Sequence, residues 1–212
     1  MNIKIITVNF GNSAPTELLI ESISSCKKLH NISISIIDNC SSKESLQELN
    51  NLRTNSELNI DIFTNKKNLF YWPAAKKMIE SLNNLKKSIP DWILICNNDI
   101  TFMDKDFFKK LEKINLTKYP IIGPKIVNNN GKNLNPFMIK PFNFISKLYW
   151  RLYFISYPIS ILMLKFKKYI KLIFLNSKTQ NTKHHKKQVY SVHGAAILFS
   201  SHFFKSGGWL DD

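Results

Sequence analysis

Trp92-Ile93-Leu94-Ile95-Cys96-Asn97-Asn98-Asp99 is the stretch on which the fold turns. Its apolar run reads as a buried strand. The run breaks off at Asn97, so a carboxylate, Asp99, emerges at the strand's tip. Towards the N-terminus, Ile3 to Val8, Ile32 to Ile37 and Ile60 to Phe63 read as further short strands. Segments with helical spacing lie between them. Pro15 to about Leu29 repeats apolar residues at Leu18, Leu19, Ile23 and Cys26, and Pro15 stands where a first-turn proline is tolerated. Ser41-Ser42-Lys43-Glu44 reads as a capping box, with Glu44 three residues after Ser41, and opens a helix to about Leu52. Pro73 to about Leu85 is the third helix.

Strands and helices alternating in this rhythm predict an α/β fold, a mostly parallel sheet with helices on both faces. Ligands of such sheets sit beyond the carboxyl ends of the strands, where the strand order reverses. Asn9, Asp38 and Asn97-Asn98-Asp99 all stand at such ends, so the fold is expected to gather them on one rim.

The 212 residues suit one domain of ordinary size or one with an insertion, and a 44% hydrophobic content supports a core. With 30 Lys+Arg against 15 Asp+Glu, the net charge of +15 points to an anionic partner: nucleic acid, an acidic membrane surface or a phosphorylated substrate. Cys26, Cys40 and Cys96 lack paired metal-site spacing and read as free thiols in a reducing compartment. No signal peptide precedes the first strand. No stretch reaches the ~18 uncharged apolar residues of a spanning helix. Tyr157 to Leu164 comes nearest and stops at Lys165. A cytoplasmic protein is expected.

From Phe142 to Leu175 aromatics and aliphatics alternate with Lys147, Arg151, Lys165, Lys167, Lys168 and Lys171. This is either a surface for the membrane interface, with rings at headgroup level and cations on lipid phosphates, or a core-packed helical insertion with snorkelling cations. Asn176 to Gln188 reads as a polar, basic loop. Gly194 to Ser200 reads as another strand and Ser201 to Lys205 as a turn or short helix.

Asp99 fits a hard divalent cation, which takes oxygen ligands and bridges phosphates, so that a substrate completes its shell. The same Asn-Asn-Asp is also good turn chemistry. Asp38 could accept hydrogen bonds from a base or ribose, or cap the helix after it, although the capping box already fills that role. His193 is either a donor-side contact or a structural histidine. His184-His185 lacks the partners of a metal site.

Thr7-Val8-Asn9-Phe10, Ile37-Asp38-Asn39-Cys40-Ser41, Asn97-Asn98-Asp99 and Gly194-Ala195-Ala196-Ile197-Leu198-Phe199, in that order, resemble the signature of family-2 glycosyltransferases of the GT-A fold. The nearest likeness is to the bacterial rhamnosyltransferase-like branch. The resemblance implies a GT-A-type, Rossmann-like single domain over 1–212. Residues 1–125 would form the nucleotide-sugar half, 142–188 the helical insertion and loop, and 189–212 the start of the acceptor side. It implies that Asp38 binds the nucleobase, with Val8 and Asn9 lining that pocket. Asp99 would ligate Mg²⁺ or Mn²⁺ with Asn98 beside it, and Gly194 and Ala195 would lie against donor sugar or acceptor. Trp209, Leu210, Asp211 and Asp212 resemble the segment leading to the acceptor. The implied reaction is an inverting, metal-dependent transfer from a UDP- or dTDP-sugar to a glycan or lipid-linked acceptor in bacterial surface polysaccharide synthesis, at the inner face of the cytoplasmic membrane.

Two departures qualify the resemblance. Asn68-Leu69-Phe70-Tyr71-Trp72-Pro73-Ala74-Ala75-Lys76-Lys77 carries Phe70 where the family has glycine, and lysines near an expected asparagine. Those lysines either contact phosphate or form a solvated helix face. The family's general base lies beyond the segment that ends at Asp212, so a chain truncated at its C-terminus is expected, with Asp211 or Asp212 as substitute base or as frayed turn acids. The rival readings are an inactive remnant and a basic nucleic-acid-binding module. Against the latter, no helix-turn-helix, zinc finger or RNA-binding aromatic motif is visible. No Gly-x-Gly-x-x-Gly follows the first strand, which argues against a dinucleotide-binding oxidoreductase.

Overall fold

The computed structural model describes residues 1–26, 31–84, 89–173 and 188–210. The elements follow one another as β1 (Asn2–Asn9), α1 (Ala14–Ser24), β2 (Asn31–Asp38), α2 (Lys43–Asn55), β3 (Asn59–Thr64), α3 (Tyr71–Asn84), β4 (Trp92–Asn97), α4 (Phe107–Leu111) and β5 (Ile121–Ile122). Then come α5 (Phe144–Tyr153), α6 (Tyr157–Ile173), β6 (Ala196–Ser200) and α7 (Ser201–Lys205).

The sheet runs β3-β2-β1-β4-β6-β5. β3, β2, β1 and β4 are mutually parallel, and β6 is antiparallel to β4 and to β5. The expected α/β architecture, mostly parallel with helices on both faces, is therefore present. Strand residues alternate between two apolar clusters, as the period of two demands. Ile3, Ile5, Trp92, Leu94 and Cys96 join α1, α2 and α4 in one cluster. Ile6, Val8, Ile93 and Ile95 join α3 and Phe203 of α7 in the other.

Several local expectations are corrected. α1 ends at Ser24 rather than near Leu29, and it turns Ile20 into the core while Leu18 is exposed. The N-cap of α2 is Ser42, whose hydroxyl accepts the Ser45 N–H at 3.2 Å. Ser41 is thereby freed from the cap. α3 starts at Tyr71, before Pro73. Cys40 is exposed, whereas Cys26 and Cys96 are buried, and all three are free thiols. The two-residue β5 has no periodic signal in the sequence; its pairing with Leu198 and Phe199 of β6 creates it.

The chain divides into two compact units, Met1–Pro136 with Val192–Asp212, and Phe137–Ser191. In the second, Met138 and Ser191 exchange main-chain hydrogen bonds, which ties its ends together. Asn143 caps α5 by accepting the Ser146 N–H at 2.8 Å. α5 contributes no buried side chain. Its rings instead contact one another, with Trp150 stacked on Phe154 at 5.8 Å. Among the described residues, no helix is long and apolar enough to cross a membrane.

Candidate functional site

β1 has β2 on one side and β4 on the other, so the strand order reverses at β1. The register pairs Asn9 with Asp38 and Val8 with Asn97. Their carboxyl ends therefore lie level. β6 runs the other way, so its beginning, preceded by His193-Gly194-Ala195, reaches the same edge. The Asn97 N–H donates to the Ala195 carbonyl at 2.9 Å. Asn9, Asp38, Asn97–Asp99 and His193–Ala195 are thus brought to one rim.

Asn9 is the hub of that rim and is fully buried, at 0% exposure. Its amide nitrogen donates to Asp38 Oδ1 and to Ser41 Oγ, both at 3.2 Å. Its carbonyl oxygen accepts the Thr16 hydroxyl at 2.7 Å and the Asn98 amide at 3.5 Å. Asn98 also donates to Thr16 Oγ1 at 3.1 Å. Asp38 is only 2% exposed, and its second oxygen accepts the Ser41 N–H at 3.1 Å. A buried carboxylate needs such partners, because desolvation of an unpaired charge is strongly unfavourable. Asp38 thus fastens β1 to β2 and does not cap α2. Ser41 Oγ also accepts the Gly11 N–H at 3.0 Å, and Gly11 holds the left-handed φ of +77° that this turn requires.

A cleft of about 230 Å³ opens beside this network, lined by Val8, Phe10, Asn39, Asn68, Phe70, Tyr71 and Asn98. Asn39, also buried, organises its wall. Its amide nitrogen donates to Asn68 Oδ1 at 3.1 Å and to the Phe70 carbonyl at 3.0 Å, while its oxygen accepts the Asn65 amide at 2.9 Å. Phe70, which stands where the resemblance implies a glycine, sits at φ +61°, a glycine-type backbone. The Tyr71 hydroxyl is buried without a hydrogen-bond partner. Burial, then the neighbouring Cys96 and Asp99, push its pKa well above the ordinary value. Burial and the Asp99 charge push the Cys96 thiol up to about 12, so it stays protonated and unreactive near neutrality.

Asp99 is exposed on the turn after β4. No group of three or more His, Cys, Asp or Glu gathers among the described residues. One carboxylate beside amide groups fits a Mg²⁺ or Mn²⁺ ion that takes its other oxygens from a bound diphosphate and water, and does not fit a cage of protein ligands.

The Lys77 amine donates to Asn65 Oδ1 at 2.9 Å, so an exposed lysine of α3 touches the network behind the cleft. Lys76 is half-buried. The His193 N–H donates to Asn135 Oδ1 at 2.9 Å, and its ring Nδ1 accepts the Ala195 N–H at 3.2 Å. The ring is therefore set by its own loop. Gly194 lies beside the Trp72 indole: a β-carbon there would stand 3.7 Å from Cζ2. Trp209 meets Phe204 edge-on at 6.3 Å. Asp211, Asp212, His184 and His185 lie outside the described residues.

Thr16, Ser41, Asn39, Asn68, Tyr71 and Asn135 also belong to this site, and sequence reasoning assigned none of them a role in it. Ser41 was hidden by the false capping box. Asn39 adjoins Asp38 and could have been found by reading the strand end as a pair.

The sequence model of the family described as Glycosyl transferase family 2 matches residues 5–203. A search of curated proteins finds no match. Among solved structures, S. aureus TarS 1-349 in complex with UDP is 16% identical with a TM-score of 0.52, over 66% of this chain and 40% of that one. The mannosyltransferase PcManGT from Pyrobaculum calidifontis in complex with GDP-Man and Mn²⁺ is 11% identical with a TM-score of 0.56, over 99% of this chain and 47% of that one. The chain thus spans less than half the length of either. At these identities the likeness shows the fold, a GT-A-type α/β architecture.

Proposed function

The chain belongs to glycosyl transferase family 2, and from that premise we propose that it binds a UDP- or dTDP-sugar in the cleft beside Asn9 and transfers the sugar to a glycan or lipid-linked acceptor. The observation that carries this reading is the convergence of Asn9, Asp38, Asn98 and Asp99 on one rim at the reversal of strand order. The base lies over Val8 and Asn39, with Asp38 and Asn9 holding that wall rigid. Asp99 would hold a Mg²⁺ or Mn²⁺ ion, with Asn98 beside it. When bound, the cation neutralises charge on the leaving diphosphate. Gly194 and Ala195 face the sugar or acceptor, with His193 behind them.

The reaction is an inverting displacement. The acceptor oxygen forms the new bond to the anomeric carbon as the bond to the diphosphate breaks, and the hydroxyl proton passes to a base. Asp211 and Asp212 are the acids nearest in sequence to that role. The pathway we propose is bacterial surface polysaccharide synthesis, with a rhamnosyl or other hexosyl donor. The mannosyltransferase bound to GDP-Man and Mn²⁺ and the TarS structure bound to UDP support the donor class by analogy of fold.

The place of action is the cytoplasmic face of the membrane, as a peripheral contact of the Phe142–Leu175 segment. Exposed Phe144, Phe154 and Tyr157 support it, as does the lack of any acid in Phe137–Ser191.

Calorimetric titration of UDP and dTDP, with and without Mn²⁺, tests the donor site. Metal-dependent binding that Asp99→Asn weakens about tenfold or more is expected, the scale of losing one charge-assisted contact. No binding by the folded chain overturns the reading.

A further inference from the structure

We propose that Phe70 is the stacking lid of the nucleobase pocket, and that its left-handed backbone exists to aim the ring there. The inference rests on the donor reading above and concerns what the cleft recognises.

A bulky side chain at positive φ is a rare outlier, and such strain persists only where the surroundings over-determine it. Here they do. The Phe70 N–H donates to Asn68 Oδ1 at 2.7 Å, and its carbonyl accepts the Asn39 amide at 3.0 Å. Asn39 is itself 1% exposed and held by Asn65. Both main-chain polar groups of the strained residue are thus gripped by side chains anchored at the end of β2. Glycine would take this conformation freely.

The phenyl ring gains little packing in return, being 74% exposed. It lines the cleft together with a second exposed ring, Phe10, at 61%. Two exposed rings and the amides of Asn68 and Asn98 make a wall suited to a flat heterocycle: apolar faces for stacking, polar edges for hydrogen bonds. A diphosphate alone has no use for the rings.

The test compares UDP with inorganic pyrophosphate, both with Mn²⁺, on the full chain and on Phe70→Gly and Phe70→Tyr. Phe70→Gly relieves the backbone and should fold with an unchanged or higher Tm. It should weaken UDP about 5- to 150-fold, the range for loss of one base–aromatic stack, and leave pyrophosphate unchanged. Phe70→Tyr should keep UDP affinity. Equal UDP binding by Phe70→Gly, or equal losses for UDP and pyrophosphate, overturns the lid. If the parent chain binds pyrophosphate but neither UDP nor dTDP, the donor reading falls and the lid with it.

Discussion

Met1–Pro136 with Val192–Asp212 holds 19 Lys+Arg against 15 Asp+Glu, whereas Phe137–Ser191 holds 11 Lys+Arg and no acid. The first unit spends its polar groups on one another: Asn9, Asp38, Thr16, Ser41 and Asn98 form a closed set. The second leaves Phe144, at 78%, and Phe154, at 76%, exposed among cations. Most of the net charge of +15 therefore belongs to the helical unit and not to the cleft. A charge total read from composition cannot make that distinction. An acid-free surface with exposed rings is instead complementary to anionic headgroups.

The comparison is sharpened most by vesicles. On the proposed membrane reading, the chain binds phosphatidylglycerol-containing vesicles and not pure phosphatidylcholine, and high salt releases it. Each basic residue near such a surface contributes ~1 kcal/mol. Reversing Lys147, Arg151 and Lys165 together to Glu should thus weaken binding more than about 100-fold, with unfolding midpoint and UDP affinity unchanged. Equal binding to neutral and anionic vesicles in a sedimentation assay would break the comparison on this side.

The opposite behaviour is expected of the rim. Asn9→Ala leaves Asp38, Thr16 and Asn98 short of partners inside the protein. It should cost about 2–4 kcal/mol in urea unfolding, the range for stranding buried polar and charged groups, with vesicle binding intact. A loss below about 1 kcal/mol, typical of one ordinary hydrogen bond, would mean that the rim rearranges and that the network does not hold it.

Parts of this contrast are legible in the sequence. Ile3–Val8 and Trp92–Cys96 announce themselves because strands buried on both faces are predominantly apolar, with only Lys4 and Thr7 interrupting the first. Strand-end polar residues then follow from topology alone, which is why Asn9, Asp38 and Asn98 meet as expected. What is not legible depends on which of two chemically equal neighbours the backbone selects. Leu18 and Ile20 both fit an apolar stripe, and only the helix's rotation against the sheet decides that Ile20 is buried. Asp38 reads by type as a ligand contact, whereas its burial and its bonds to Asn9 and Ser41 are visible only in the structure. Phe70 breaks the family pattern in sequence, but that its backbone remains glycine-like is visible only in its φ.

Ser41 and Ser42 give the smallest and most local division between bracing and binding. Sequence assigns the cap to Ser41 through its spacing to Glu44, while the structure assigns it to Ser42 through the Ser45 N–H. Ser42→Ala should therefore cost ~1 kcal/mol of stability, as loss of an N-cap does, without touching UDP affinity. Ser41→Ala removes an acceptor from the exposed Gly11 N–H, which water can replace, and from Asn9, which keeps Asp38. Its stability loss should stay near ~0.5 kcal/mol, the low end for one hydrogen bond. Phe10 lies between Asn9 and Gly11, so loosening that turn should weaken UDP a few-fold. If the two alanine variants behave alike in both urea unfolding and UDP titration, Ser41 belongs to the cap of α2 after all, and the boundary between frame and pocket has to be drawn one residue later.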